Sequence, residues 1–167
     1  HFPAINWLTS YSLYTDSLRE FYDKEFGATY MANRTKAMSI LQEEAELQEI
    51  VRLVGQDALS PADRMTMETA RMIREDFLQQ NAFITEDAYS SYGKQYRLLD
   101  LVLQYDAKCR AALEKGADLN ALFNIGSREA IGRAKMEPQE TYEAEYDGIL
   151  AKMQAEIDEA VRGGEEQ

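Results

Sequence analysis

The chain has 167 residues, 45% of them hydrophobic, and carries 30 acidic against 18 basic side chains for a formal charge of -12 at pH 7. That length suits one domain burying roughly two thirds of its unfolded surface. The acidic excess repels nucleic acid and free nucleotide, argues against nucleic-acid binding, and favours basic protein surfaces.

The first thirty residues hold Phe2, Trp7, Tyr11, Tyr14, Phe21, Tyr22, Phe26 and Tyr30. Such a region must pack, either within this domain's core or on a surface that meets an adjoining domain. Ser17 followed by Glu20 is a capping-box pattern, and Gly27 is placed as a stop, which predicts a helix over 17–26.

From about Met31 to Val54 the pattern predicts a long amphipathic helix. Leu47, Ile50, Val51 and Val54 recur at i, i+3, i+4, i+7 as its apolar stripe, with Glu43, Glu44, Glu46 and Glu49 mostly on a solvated face. Gly55 stops this helix. Ser60-Pro61-Ala62-Asp63 starts the next one, since serine caps, proline suits the first helical position and aspartate favours the positive helix start. The second arm runs through Ala70, Ile73 and Phe77 to about Gln80, and 81–92 reads as a connecting loop.

A helix over 93–115 follows, with Leu98, Leu101, Val102 and Tyr105 at helical spacing and Gly116 as its end. Short helices are predicted over 119–123 and 127–135. Glu137-Pro138 opens the last one, with Tyr146, Ile149, Leu150, Met153 and Ile157 on one face and Gly163-Gly164 as its close. No segment beyond the opening residues alternates with period two, so the class is all-α.

Conventional catalytic patterns are scarce. Cys109 is the only cysteine and has no candidate base except terminal His1, so it reads as a packed thiol in a protein without a disulfide framework. A single histidine removes most zinc and iron arrangements, including the Glu-x-x-His pairs of a di-iron bundle; no metal site is expected. No segment fits GxxxxGK[ST]; Gly93-Lys94-Gln95 has neither the preceding glycine nor the hydroxyl of a phosphate cradle. No stretch approaches 18 apolar residues and no charged-then-apolar leader opens the chain, so a cytoplasmic protein is expected.

Three stretches nevertheless carry a resemblance. The segment Asp57-Ala58-Leu59-Ser60-Pro61-Ala62-Asp63 resembles the helix-turn-helix of rotary ATPase catalytic subunits, which reads DELSEED in the F-type beta version. Asp57, Leu59, Ser60 and Asp63 match it, while Ala58, Pro61 and Ala62 depart from it. About twenty residues on, Phe77-Leu78-Gln79-Gln80-Asn81-Ala82-Phe83 resembles the family's adenine-pocket segment, FLSQPF in the F-type beta subunit. At the start, Phe2-Pro3-Ala4 is similar to the F-type YPAV. The likeness is greatest to the catalytic A subunit of archaeal and bacterial A/V-type ATP synthases.

The resemblance implies an expectation for each site. Residues 1–15 would be the end of a nucleotide-binding domain and its connector, and 16–167 the C-terminal helical bundle. The absence of an initiator methionine and the opening inside a motif read as an excised fragment.

Phe2, Pro3, Gln79, Ala82, Phe83 and Tyr89 would form the adenine pocket, with Phe2 and Phe83 as opposite aromatic walls that suit a purine's flat π-face. Asp57, Ala58, Leu59, Ser60 and Asp63 would contact the rotor. The substrates of the parent complex would be ATP or ADP with Mg, none being expected on the fragment, whose own catalytic residues would be none because the P-loop lies upstream. Partners would be the B subunit, the central-stalk rotor subunits and the upstream nucleotide-binding domain, with the membrane reached only through the complex. The residues alone leave a second reading open, a free-standing acidic helical adaptor for a basic partner; an independent small-molecule enzyme ranks last.

Overall fold

A computed structural model describes residues 27–78 and 92–166, and among them every regular element is helical. The chain divides into two units, His1–Arg74 and Glu75–Gln167. The helix expected over 17–26 and the expected extended opening lie outside the described residues, as do 79–91.

The first unit is a helical hairpin. Helix α1 spans Gly27–Val54, 28 residues rich in the strong helix formers Ala, Leu, Glu and Gln. At 1.5 Å per residue it is about 42 Å long. Gly27 is the first residue of this helix, and the helix over 17–26 that it was expected to close lies outside the described residues.

The buried stripe of α1 is Ala37, Ile40, Leu41 and Glu44, at i, i+3, i+4 and i+7. It packs against α2, Pro61–Met72, which buries Met65, Thr66, Thr69, Ala70 and Met72. The stripe expected further along α1 is not core: Ile50 is 42% and Val54 67% exposed, as is the adjacent Leu53 at 71%. An apolar period marks a face, but that face is buried only where a partner helix lies against it. Glu44, expected on the solvated face, is buried for the same geometric reason.

Between the arms, Gly55 adopts φ 91°, a conformation that favours glycine, and its N–H donates to the Val51 carbonyl at 2.9 Å. A 3-10 turn over Gln56–Ala58 follows. Helix α2 begins as the sequence predicts: Ser60 Oγ accepts from the Asp63 N–H at 3.1 Å, Pro61 stands at the first position, and Asp63 sits in the first turn.

Helix α2 then widens into a π-helical turn, Ile73–Leu78, in which each N–H reaches back five residues rather than four. Ala70 and Ile73 are buried as expected, and Phe77 is half-buried.

In the second unit α3, Tyr92–Glu114, packs chiefly on α6, Tyr142–Glu165, and also on α5, Gly126–Arg133. The predicted face Leu98, Leu101, Val102 and Tyr105 is buried. Helix α3 ends in a Schellman motif: Ala117 N–H donates to the Ala112 carbonyl and Gly116 N–H to that of Leu113, both at 3.0 Å, with Gly116 at φ 94°.

Asp118 then caps α4, Leu119–Phe123, by accepting from the Ala121 N–H at 3.1 Å. Two buried tyrosines tie helices to carbonyls: Tyr105 donates to Leu122 at 2.9 Å and Tyr146 to Ala134 at 2.8 Å. Cys109 is buried, and burial pushes its thiol up to about 12, so it is a packing group.

Two sequence expectations fail at α6. It starts at Tyr142 because Pro138 heads a turn closed by Thr141 N–H donating to its carbonyl at 3.1 Å. It also runs through Gly163-Gly164. Gly164 is not a stop but a point of close approach: a Cβ there would lie 2.4 Å from the Gly116 carbonyl oxygen.

One tertiary cap binds α6 to α5. Glu156 accepts from the Gly126 N–H at 2.8 Å, from the Ser127 N–H at 3.1 Å, and from the Ser127 hydroxyl. It thus places a negative charge at the positive start of α5. Burial pushes the Glu156 carboxyl upward, but hydrogen bonds from Ser127 and Gly126 outweigh this and hold it below its usual 4.5. A depressed folded value means that this stabilisation is complete above the unfolded value and disappears as pH falls through the folded one. Glu156→Gln is therefore expected to lower stability by about 1 kcal/mol at pH 7. In denaturant titrations the gap from wild type should shrink as pH drops below 4.5.

Candidate functional site

The hairpin tip gathers the residues predicted to meet a rotor. Asp57, Ala58 and Ser60 are exposed, Asp63 is half-buried beneath its hydrogen bond to Ser60, and Leu59 is buried as the plug of the turn. Sequence reasoning missed the exposed apolar part of this surface, because it put Ile50 and Val54 on an apolar stripe and left Leu53 off it. All three stand at the end of α1, beside the turn. An apolar cluster exposed at the end of a stiff element is a surface that can bear on another protein without depending on any single charge.

Charged side chains precede it along α1. Glu46 and Glu49 are exposed on α1, and Arg52 donates to Glu49 at 2.6 Å. The Arg52 hydrogen bond and charge hold the Glu49 carboxyl below its ordinary range. Exposed pairs of this kind contribute little to stability.

Lower on the hairpin, Arg74 Nη1 donates to Glu44 Oε2; the Glu44 side chain is 2% and that of Arg74 18% exposed. Glu44 lies on the apolar stripe of α1, in register with Ala37, Ile40 and Leu41. A glutamate continuing an i, i+3, i+4 apolar series was the available signal that a buried basic partner must exist.

The other expected site residues, Phe2, Pro3, Gln79, Ala82, Phe83 and Tyr89, lie outside the described residues. What is described is how the stretch 79–91 is flanked. Before it, Arg128 Nη1 approaches Asp76 at 3.4 Å and Lys135 Nζ donates to the Glu75 carbonyl at 3.2 Å. After it, buried Lys94 donates from Nζ to the Lys135 carbonyl at 2.8 Å. Both flanks are therefore fastened to the same short region, α5 and the 3-10 turn Ala134–Met136. Lys94, the lysine of the Gly93-Lys94-Gln95 triplet, is engaged with that backbone.

Among the described residues no group of three or more His, Cys, Asp or Glu side chains is placed to hold a metal ion. No described helix is long and apolar enough to cross a membrane.

Residues 19–123 match the family described as the C-terminal domain of V and A type ATP synthase. The chain belongs to this family. It is 48% identical over 160 residues to the A subunit of the A-type ATP synthase of Methanosphaera stadtmanae, covering 96% of this chain and 27% of that protein. To the V-type ATP synthase alpha chain of Acetivibrio thermocellus it is 48% identical over 158 residues, 95% of this chain and 27% of the relative. To the V-type ATP synthase alpha chain of Clostridium perfringens it is 46% identical over 164 residues, 98% of this chain and 28% of the relative. The chain thus spans little more than a quarter of the length of these relatives. As a member of the V and A type family, it carries the helix-turn-helix that the sequence predicted, with the described tip at Asp57 to Asp63.

Removing one partner of the buried pair leaves an uncompensated charge, so Arg74→Met is expected to destabilise the hairpin by about 3 kcal/mol. Glu44→Met combined with Arg74→Met should recover most of that loss. A double-mutant cycle by urea unfolding measures the coupling directly.

Proposed function

We propose that the chain is the C-terminal part of the catalytic A subunit of a V/A-type ATP synthase, and that within the whole complex it transmits force between nucleotide and rotor. The observation that carries this reading is the near-complete coverage of this chain by A-type and V-type synthase relatives at 46–48% identity. The exposed apolar end of the α1–α2 hairpin supports the mechanical part, and no observation favours the free-standing adaptor.

In this reading the parent complex hydrolyses or makes ATP and couples that to proton or sodium translocation, as a cytoplasmic assembly peripheral to the membrane. The phosphates and Mg of ATP are held by the upstream domain, because no GxxxxGK[ST] segment occurs in this sequence. This chain supplies the adenine-facing residues Phe2, Pro3, Gln79, Ala82, Phe83 and Tyr89. Nucleotide binding draws the domain towards the nucleotide-binding domain, and the hairpin carries the movement to the central stalk. Work comes from the different affinities of closed and open states for nucleotide.

The tip acts through shape and apolar contact rather than through the two matched acids. In the assembled motor, Asp57→Ala with Asp63→Ala should leave most single-molecule rotation intact, whereas Leu53→Asp with Val54→Asp should reduce torque. A complete stall of the Asp57/Asp63 variant refutes the assignment of force to apolar contact. Stacking on an aromatic is worth about 1–3 kcal/mol per base, while association costs roughly 4 kcal/mol or more. Calorimetric titration of the 167-residue chain with ATP should therefore show no micromolar binding.

A further inference from the structure

Within the unit Glu75–Gln167, two cations of low exposure hold residues far apart in sequence to one short piece of structure, α5 and the 3-10 turn Ala134–Met136. The first is Arg128 on α5. Its Nη1 approaches Asp76 Oδ2 at 3.4 Å, and both side chains are only 13% exposed. The Asp76 carboxylate lies close against α5, because a Cβ on Gly132 would stand 3.8 Å from Asp76 Oδ1 and 3.8 Å from Arg128 Nη1. One residue earlier, the Glu75 carbonyl accepts from Lys135 Nζ at 3.2 Å.

The second cation is Lys94, 2% exposed, whose Nζ donates to the Lys135 carbonyl at 2.8 Å. Lys94 is in helical register with the buried face of α3, four residues before Leu98 and seven before Leu101. An aliphatic side chain would continue that face without having to satisfy a desolvated ammonium. What lysine adds over leucine at this position is attachment to the 3-10 turn. Residues 75–76 and 94 are thus fastened to the same support, with 79–91 between them in sequence.

Bringing the ends of a connecting stretch together has an entropy cost. Where folding has already fixed those ends, that cost does not fall on a later binding event, and affinity is higher for it. We propose that Arg128 and Lys94 are positioning residues for nucleotide binding, which hold the two flanks of 79–91 on α5 and its turn. This rests on the adenine-facing role proposed above and adds to it residues that act through the flanks rather than by touching the nucleotide.

The test uses the whole subunit in the assembled complex, with Arg128→Met, Arg128→Lys and Lys94→Met. A control, Tyr105→Phe, removes the hydrogen bond from Tyr105 to the Leu122 carbonyl elsewhere in the same unit. Losing one fastening should raise the KM for ATP about fivefold in each Met variant, the size of one hydrogen bond, with kcat kept within about twofold. Arg128→Lys keeps a cation opposite Asp76 and should bring KM back to within about twofold of wild type. Tyr105→Phe should leave KM unchanged.

Unchanged KM in the Met variants overturns the inference, as does an equal rise in Tyr105→Phe, which would mean general loosening. A fall in kcat at constant KM also overturns it. Should one Met variant fail to assemble, the other decides. Photolabelling with an ATP analogue that carries an azide on adenine separates this inference from the reading beneath it. No label on 79–91 in the wild-type complex defeats both. Label there in wild type, at equal strength and equal analogue concentration in the Met variants, defeats the positioning role alone.

Discussion

The hairpin depends on one buried ion pair. Its two helices meet through Ala37, Ile40 and Leu41 on one side and through Met65, Thr69 and Ala70 on the other. A buried charge adds a demand that apolar contact does not make, a partner at one place. With Glu44 desolvated on α1, only the register that brings Arg74 to its carboxylate avoids an uncompensated charge. The other end of the hairpin is fixed independently by Gly55 at positive φ and by the Ser60 cap on Asp63. Held at both ends, the helices move as one body, and the apolar cluster of Ile50, Leu53 and Val54 is presented at a defined place.

The second unit achieves rigidity by different means. Tyrosine hydroxyls bridge helices to carbonyls, Glu156 caps α5 from α6, and Gly164 lets α6 touch the Gly116 backbone. None of these contacts requires a large apolar side chain at the point of closest approach. Their common effect is to set α5 and the adjoining 3-10 turn firmly enough for Arg128 and Lys135 to fasten the flanks of 79–91.

Local chemistry was legible in the sequence wherever it was self-contained. Gly55 followed by Ser60-Pro61 marked the hairpin because each residue satisfies a backbone requirement by itself, and Gly116 marked the end of α3 for the same reason. Features decided by a neighbour were not legible. The series Leu47, Ile50, Val51, Val54 has perfect helical spacing, yet spacing cannot reveal that Ile50 and Val54 project from an uncovered tip. Gly164 reads as a stop until the backbone it approaches is known, and Pro138 reads as a helix start until the turn to Thr141 is seen. Asp57, Ala58 and Ser60, expected from the resemblance to meet a rotor, are exposed, whereas Leu53, more exposed than Ile50 and Val54, stood outside the apolar stripe read from the spacing.

The central claim is that an apolar tip, held out by a pair-locked hairpin, bears on a shaft in the complete complex. Amide hydrogen exchange of the assembled catalytic head, measured with and without its central shaft, tests this most directly. The account predicts slower exchange with the shaft present, concentrated in the peptides covering Ile50 to Asp57 at the end of α1 and its turn. Equal exchange there in both states, with protection appearing instead on α5 or α6, would contradict it.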